Sequence, residues 1–123
     1  DQAVNLVDQA LRLKDKLNGK ILSVEMKSAK MIDILKSWIK KYGGKYKVIN
    51  TRKGDRLDEY LIGEDELKYT QELKIKGKKY YIIDFNKLSK KPLKKVVSSA
   101  NARRLSTSEI EKIIQFGINN NDL

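Results

Sequence analysis

Apolar residues recur at helical spacing in four segments of this chain, residues 1–17, 28–42, 55–62 and 106–117. Favoured capping residues bound these segments: Asn-Gly follows the first, and the second begins at a serine and is followed by Gly-Gly. The fourth begins with the Ser-x-x-Glu capping-box sequence. The sequence therefore predicts four helices. Their predicted inward faces consist of Val4, Val7, Ala10, Leu11 and Leu17; Ile32, Leu35, Trp38, Ile39 and Tyr42; Leu57, Tyr60 and Leu61; and Ile110, Ile113, Ile114 and Gly117.

Short segments rich in β-branched and aromatic residues predict four strands, over residues 20–25, 45–51, 69–76 and 78–85. The last two are joined around Gly77, which favours a β-hairpin. In the second strand, the alternating pattern of KYKVINT predicts one buried and one exposed face.

The predicted elements follow the order α-β-α-β-α-β-β-loop-α, which indicates an α+β fold or a small α/β domain. A single core of this length is common, so one domain is predicted over residues 1–123. The loop covers residues 86–102 and contains the only proline, Pro92. Residues 118–123 are predicted to be a frayed end.

The charge of the chain indicates an anionic partner without identifying it. There are 27 lysines and arginines against 16 aspartates and glutamates, which gives a formal net charge of +11. Such a surplus attracts nucleic acid, nucleotides, acidic membranes or phosphorylated sugars. Solvated surface lysines would give the same surplus without any partner.

The residue types that are missing exclude several kinds of chemistry. The chain has no histidine and no cysteine, so disulfides, thiol nucleophiles, thiolate metal sites and histidine-based catalysis are ruled out. No apolar run approaches the ~18 residues that a membrane span needs, and no signal peptide is visible, so we expect a cytoplasmic protein. Because the first residue is Asp1 rather than methionine, we expect a processed chain or a fragment.

No catalytic, cofactor or metal motif is visible. The glycines never reach the spacing of a dinucleotide-binding or phosphate-binding loop, and no tyrosine has a lysine four positions later. Acidic residues cluster at 55–59 and 64–66, but their spacing matches no calcium-binding loop. We therefore predict no catalytic residue, no metal site and no cofactor held by this chain.

The sequence VINTRKGDRLDEYLI, residues 48–62, contains the strongest candidate site. A predicted strand ends near Arg52, Gly54 permits a sharp turn, and Asp55 can cap the helix predicted to follow. This junction suits an anion, because a guanidinium offers a bidentate fork and a helix N-terminus offers free N–H groups. Pairing of Arg52 with Asp55 or Glu59 is the other interpretation, and the spacing alone favours neither.

TRKGDRLDEYLIGEDEL, which includes this junction, resembles the R-x-G-E-K-L-x-E-x-L…E-E stretch of UDP-N-acetylglucosamine 4,6-dehydratases of polysaccharide biosynthesis. These enzymes are extended short-chain dehydrogenase/reductases. DQAVNLVDQALRL resembles the family's D-E-A-V-x-L-V helix, and NGKILSVEMKSAKMIDILKSW resembles its G-x-I-F-V…M-K-I-x-D-L-A segment. YYIID resembles the strand after the acidic turn, and SSANARRLSTSEIEKII resembles the Y-x-S-x-N-x-x-x-L-x-x-E-E-x-x-x-L-L tail. The matches follow the family's order through nearly the whole chain.

The resemblance implies that the chain is the substrate-binding, C-terminal part of such a dehydratase. NAD(P) and the catalytic residues would then belong to an N-terminal Rossmann region that this chain lacks, in a homo-oligomeric parent protein. Arg52 would lie near the UDP pyrophosphate, and Asp55, where the family has glutamate, near the ribose. Met26 and Lys27, in the loop after the first strand, would lie by the uracil.

Two other functions are compatible with the sequence. A nucleic-acid-binding module would use the net charge for phosphate contacts and the tyrosines of KYKVI and KKYYII to stack on bases, although sheet packing explains these tyrosines as well. A scaffold or oligomerisation domain would keep the fold and bind neither UDP nor RNA.

Overall fold

The computed structural model describes residues 2–119, which form a mixed α+β fold with four α-helices, five β-strands and one 3-10 helix. The helices are α1 (Gln2–Arg12), α2 (Lys14–Leu17), α3 (Met31–Tyr42) and α4 (Thr107–Asn119). The strands are β1 (Ile21–Val24), β2 (Tyr60–Ile62), β3 (Thr70–Ile75), β4 (Lys78–Ile83) and β5 (Val97–Ser98), and the 3-10 helix covers Glu64–Tyr69. The predicted α+β class is confirmed.

The described residues divide into two compact units. Unit 1 contains the residues up to Met26 together with Tyr60–Ser98, and unit 2 contains Lys27–Glu59 together with the residues from Ser99 onward. Whether the two units fold as the single domain expected from the sequence stays a prediction.

Unit 1 is built on an antiparallel sheet in the order β1-β4-β3. In the register, Ile21 lies opposite Ile83 and Ile75 lies opposite Lys78, so Lys76 and Gly77 form a two-residue hairpin loop. Both loop residues have positive φ, 48° and 78°, as a type I′ turn requires. The predicted first strand and the predicted hairpin are confirmed.

The core of unit 1 is an apolar cluster around Ile62, Tyr81 and Ile83. Partly buried side chains complete it: Leu61, Leu67, Tyr69, Leu93 and Val97. Full burial of an aliphatic side chain such as that of Ile62 stabilises the fold by about 1.5–3 kcal/mol. The predicted loop 86–102 contributes to this core, because its residues 97 and 98 form β5, which pairs with β2.

Helix α1 packs only in part with the face that the periodicity predicts. Val4, Val7 and Leu11 are 60–67% exposed, so the prediction that they point inward is wrong. Ala10, also predicted to point inward, is half-buried, and so is Leu6, which was not predicted. The helix carries apolar residues on both sides, and spacing alone does not tell which side meets β1. Unit 1 thus leaves an apolar stripe of α1 exposed.

Unit 2 contains the pair of helices α3 and α4. Helix α3 begins at Met31, so the prediction that Ser28 is its N-cap is wrong. The backbone of Ser28 forms a parallel bridge with Arg104, and its hydroxyl donates to the carbonyl of Ser99 (2.9 Å). These contacts hold Ser28 outside the helix. As predicted, Gly43 ends α3, with φ 78° and its N–H bonded to the carbonyl of Ile39.

The predicted capping box of α4 is confirmed. The N–H of Ser106 donates to Glu109 Oε2 (2.9 Å), and the N–H of Glu109 donates to Ser106 Oγ (3.3 Å). Of the predicted inward face, Ile110 and Ile114 are buried, whereas Ile113 is 57% exposed and that part of the prediction is wrong. Of the frayed end predicted at 118–123, residues 118 and 119 belong to α4, and 120–123 lie outside the described residues.

The segment 43–59 contains no helix and no strand, so the strand predicted at 45–51 and the helix predicted at 55–62 are both wrong. A strand needs a partner for its backbone N–H and C=O groups, and residues 45–51 have no partner strand between residues 2 and 119. Leu57, predicted to point inward, is 96% exposed. Residues 60–62 are strand β2 instead, because the extended backbone places Ile62 in the core of unit 1.

None of the helices within residues 2–119 combines the length and the apolar character needed to cross a lipid bilayer.

Candidate functional site

Arg52 and Asp55 are joined by a tight, reciprocally bonded turn. The N–H of Asp55 donates to the carbonyl of Arg52 (3.1 Å), and the N–H of Arg52 donates to Asp55 Oδ2 (2.8 Å). Gly54 has φ 94° at the third turn position, where a type II turn requires a positive value. Local sequence is sufficient to build this turn, because glycine supplies the positive φ and aspartate bonds readily to nearby backbone.

Among the described residues, the guanidinium of Arg52 has no side-chain partner. Arg52 is exposed, and within residues 2–119 it forms no ion pair. Asp55 bonds to the backbone N–H of Arg52, so pairing of the two side chains is not observed. The guanidinium fork is therefore available to an anion from solution. Because no helix follows the turn, a helix N-terminus adds no donors to the site.

The C-terminal end of the segment is held by Ser99, which was not among the predicted site residues. Ser99 Oγ donates to Asp58 Oδ1 (2.7 Å) and accepts the N–H of Glu59 (3.0 Å). The N–H of Ser99 in turn donates to the carbonyl of Glu59 (2.8 Å). Asp58 therefore has a structural partner, and no local signal could reveal a contact 41 residues apart in sequence.

Lys27 has an ion-pair partner within unit 2. Its Nζ forms an ion pair with Glu109 Oε1 at the start of α4. The bond from Lys27, with those from the backbone and hydroxyl of Ser106, lowers the pKa of Glu109 to about 2. The hydrogen bonds of residues 2–119 do not connect Lys27 to the Arg52 turn. Met26 follows β1 in unit 1 and is about half exposed (49%).

The carboxylates do not form a metal centre within the described part of the chain. No three acidic residues there come together as ligands would. Several have structural partners instead, for example Glu66, whose Oε2 accepts the N–H of Gly63 at the start of the 3-10 helix (2.7 Å). The acid-rich sequence at 64–66 thus begins a 3-10 turn.

The residues described here do not fit NAD(P). A dinucleotide site of the Rossmann type needs parallel strands and a glycine-rich turn leading into a helix. The three-stranded sheet is antiparallel, and no glycine lies between β1 and α3. No step involving a nicotinamide can therefore be assigned to these residues.

The tyrosines of β4 are not available for base stacking. Tyr80 and Tyr81 are 4% and 3% exposed, so they serve the packing of the sheet. Tyr46 is about half exposed. The stacking platform that a nucleic-acid-binding module would need on this strand is absent.

The chain matches no known family model, and no curated protein is significantly similar to it in sequence. The resemblance to 4,6-dehydratases therefore rests on the quoted motifs and their order.

Proposed function

We propose that this chain is the UDP-sugar-binding portion of an NAD(P)-dependent sugar-nucleotide 4,6-dehydratase of surface polysaccharide biosynthesis. The observation that carries the proposal is the free guanidinium of Arg52, held in a turn that Asp55 closes through the backbone. The ordered sequence resemblance supports a pyrophosphate as its ligand. The chain is not catalytic by itself.

In this proposal Arg52 neutralises and positions the pyrophosphate, and Asp55 positions Arg52. Arginine suits this role because its guanidinium stays protonated and binds two phosphate oxygens at once. The parent enzyme oxidises the sugar at C4, removes water across C5–C6 and returns hydride to C6; C5 epimerisation follows in some subfamilies. Those steps belong to the Rossmann region of a cytoplasmic, homo-oligomeric parent.

Exposed apolar side chains near the turn support contact with a further protein surface. Val48, Ile49 and Leu57 are each more than 70% exposed, within a segment that has no regular structure. Exposed apolar groups that form a contiguous patch commonly mark interaction sites, and Val48 and Ile49 are adjacent in sequence. In the proposed enzyme, the surface that covers them is the Rossmann region.

The test is calorimetric titration of the chain with UDP and UDP-N-acetylglucosamine. Arg52→Ala should weaken binding by about 1.5–3 kcal/mol, because a charge-assisted hydrogen bond is lost. Arg52→Lys should recover part of the affinity, since it keeps the charge but not the fork. Lys53→Ala removes the same charge from the same turn and serves as the control. Equal losses for Arg52→Ala and Lys53→Ala, or no UDP binding at all, would reject the proposal.

A nucleic-acid-binding module would give a different result in calorimetric titration. Its RNA affinity would fall steeply with salt and would not be reduced by UDP-sugar. Absence of both UDP and RNA binding would favour a scaffold.

A further inference from the structure

Unit 1 contains an open cavity of about 180 Å³ beside the end of β4 and the loop that follows it. Three lysines line it, Lys20, Lys87 and Lys90, together with one acidic residue, Asp84. Gln71 adds a neutral amide. None of these residues belongs to the candidate site in unit 2.

The cavity has an excess of positive charge. The charge of Lys20 is balanced by Asp84, because the Lys20 Nζ lies 3.8 Å from Asp84 Oδ2 and both side chains are partly buried. Lys87 and Lys90 form no ion pair with any residue in the described part of the chain. Two lysines without an ion-pair partner, both exposed, therefore line one small space and are available to an anion from solution.

Backbone hydrogen bonds fix the loop that carries these lysines. The N–H of Asp84 donates to the carbonyl of Tyr69 (3.1 Å), and the N–H of Lys87 donates to the carbonyl of Asp84 (3.2 Å). The N–H of Ser89 donates to the carbonyl of Lys68 (2.8 Å). The cations are thus attached to a backbone that the rest of unit 1 holds in place, which lowers the entropic cost of binding.

Apolar side chains also line the cavity. They are Tyr69, the buried Ile82 and the exposed Leu88. The ring of Tyr69 packs against Phe85, with 5.6 Å between the ring centroids. The ammonium of Lys68 lies over the Tyr69 ring, 5.1 Å from its centre. The cavity can therefore receive a ligand that is anionic at one end and apolar at the other.

We propose that this cavity binds a small phosphomonoester. The two free lysines match the charge of a phosphate dianion, and lysine binds phosphate as a point charge with several donors. At ~30 Å³ per molecule, the volume corresponds to roughly six waters, enough for a phosphate and a small body. Pockets for drug-sized ligands start at about 300 Å³, so the cavity itself encloses no more than a small ligand. The inference uses unit 1 alone and does not depend on the proposed UDP site.

The test is a titration of the full chain, labelled with ¹⁵N, followed by its amide resonances at constant ionic strength. Phenyl phosphate and inorganic phosphate should give saturable shifts concentrated at residues 82–90. Benzoate has the same ring with a single charge and should bind at least tenfold more weakly. Lys87→Gln/Lys90→Gln should weaken phenyl phosphate binding at least tenfold.

Lys94→Gln/Lys95→Gln is the matched control, because it removes the same charge from the same chain segment outside the cavity lining. It should change the affinity for phenyl phosphate less than twofold. Spectra with native dispersion establish that each variant is folded. Equal losses in the two double variants, benzoate binding as tight as that of phenyl phosphate, or the absence of saturation would overturn the proposal.

Discussion

Glu109 joins distant parts of unit 2 through one carboxylate, which accepts bonds from Lys27 and from Ser106. These bonds lower its pKa from the ordinary value of 4.5 to about 2. A lowered folded-state pKa contributes stability that is complete above about pH 4.5 and is lost as the pH falls towards 2. Thermal melts should therefore show a Tm gap between the wild type and Glu109→Gln that is constant above pH 4.5 and closes near pH 2.

Glu111→Gln is the control for this prediction, since it makes the same charge change on the same helix. Its Tm difference from the wild type should not close over the same pH range. A Glu109→Gln gap that does not vary with pH would show that the carboxylate contributes nothing through its charge.

At the scale of residues, sequence reasoning succeeded where partners are close along the chain. The sharp turn at Gly54 and the capping box at Ser106 and Glu109 involve contacts three residues apart. Asp55, which was predicted to cap a helix, closes that turn instead. The partners of Lys27 and Asp58 lie 82 and 41 residues away, and no local pattern encodes them. The lysines of the cavity were visible only as part of a general surplus, because the fold alone brings them together.

The β3–β4 hairpin gives a prediction at the scale of elements. Lys76 is the only described non-glycine residue with positive φ, a conformation that costs an L-residue about 1–2 kcal/mol. Asparagine tolerates it better, and Asn-Gly is the preferred type I′ pair. Because it relieves part of that ~1–2 kcal/mol cost, Lys76→Asn should raise the free energy of unfolding measured by urea denaturation. Lys47→Asn, in the irregular segment, should have little effect; a loss of stability in Lys76→Asn would contradict the turn assignment.

Helices and strands could be predicted from the sequence where the contacts that stabilise them lie within the same helix or hairpin. The hairpin needs only its own two strands, and α4 carries its own cap, so both were identified correctly. The strand predicted at 45–51 needed a neighbour, and the helix predicted at 55–62 needed a surface for Leu57. Within residues 2–119, segment 45–51 has no neighbouring strand and Leu57 has no surface to pack on. The alternating pattern of 45–51 and the helical pattern of 55–62 were therefore both misleading.

At the scale of the whole molecule, the net charge of +11 produces self-repulsion that the ion pairs offset only locally. Added salt screens this repulsion, since the Debye length falls from about 10 Å at 0.1 M to about 3 Å at 1 M. Calorimetry should therefore show a Tm that rises between 50 mM and 500 mM NaCl. Lys94→Glu/Lys95→Glu reduces the surplus and should show a smaller rise. A Tm that falls with salt would mean that ion pairs outweigh repulsion.

The attachment of segment 43–59 at both ends limits how far its arginine can reach. Gly43 is bonded to the end of α3, and Asp58 and Glu59 are bonded to Ser99. Even fully extended, the six residues from Arg52 to Asp58 would span about 20 Å, at 3.3–3.6 Å per residue. An arginine on such a tether explores a small volume, so an anion held nearby meets it at a high effective concentration. In the function that we propose, the two attachments would shorten the time that the arginine needs to meet its anion again after each release.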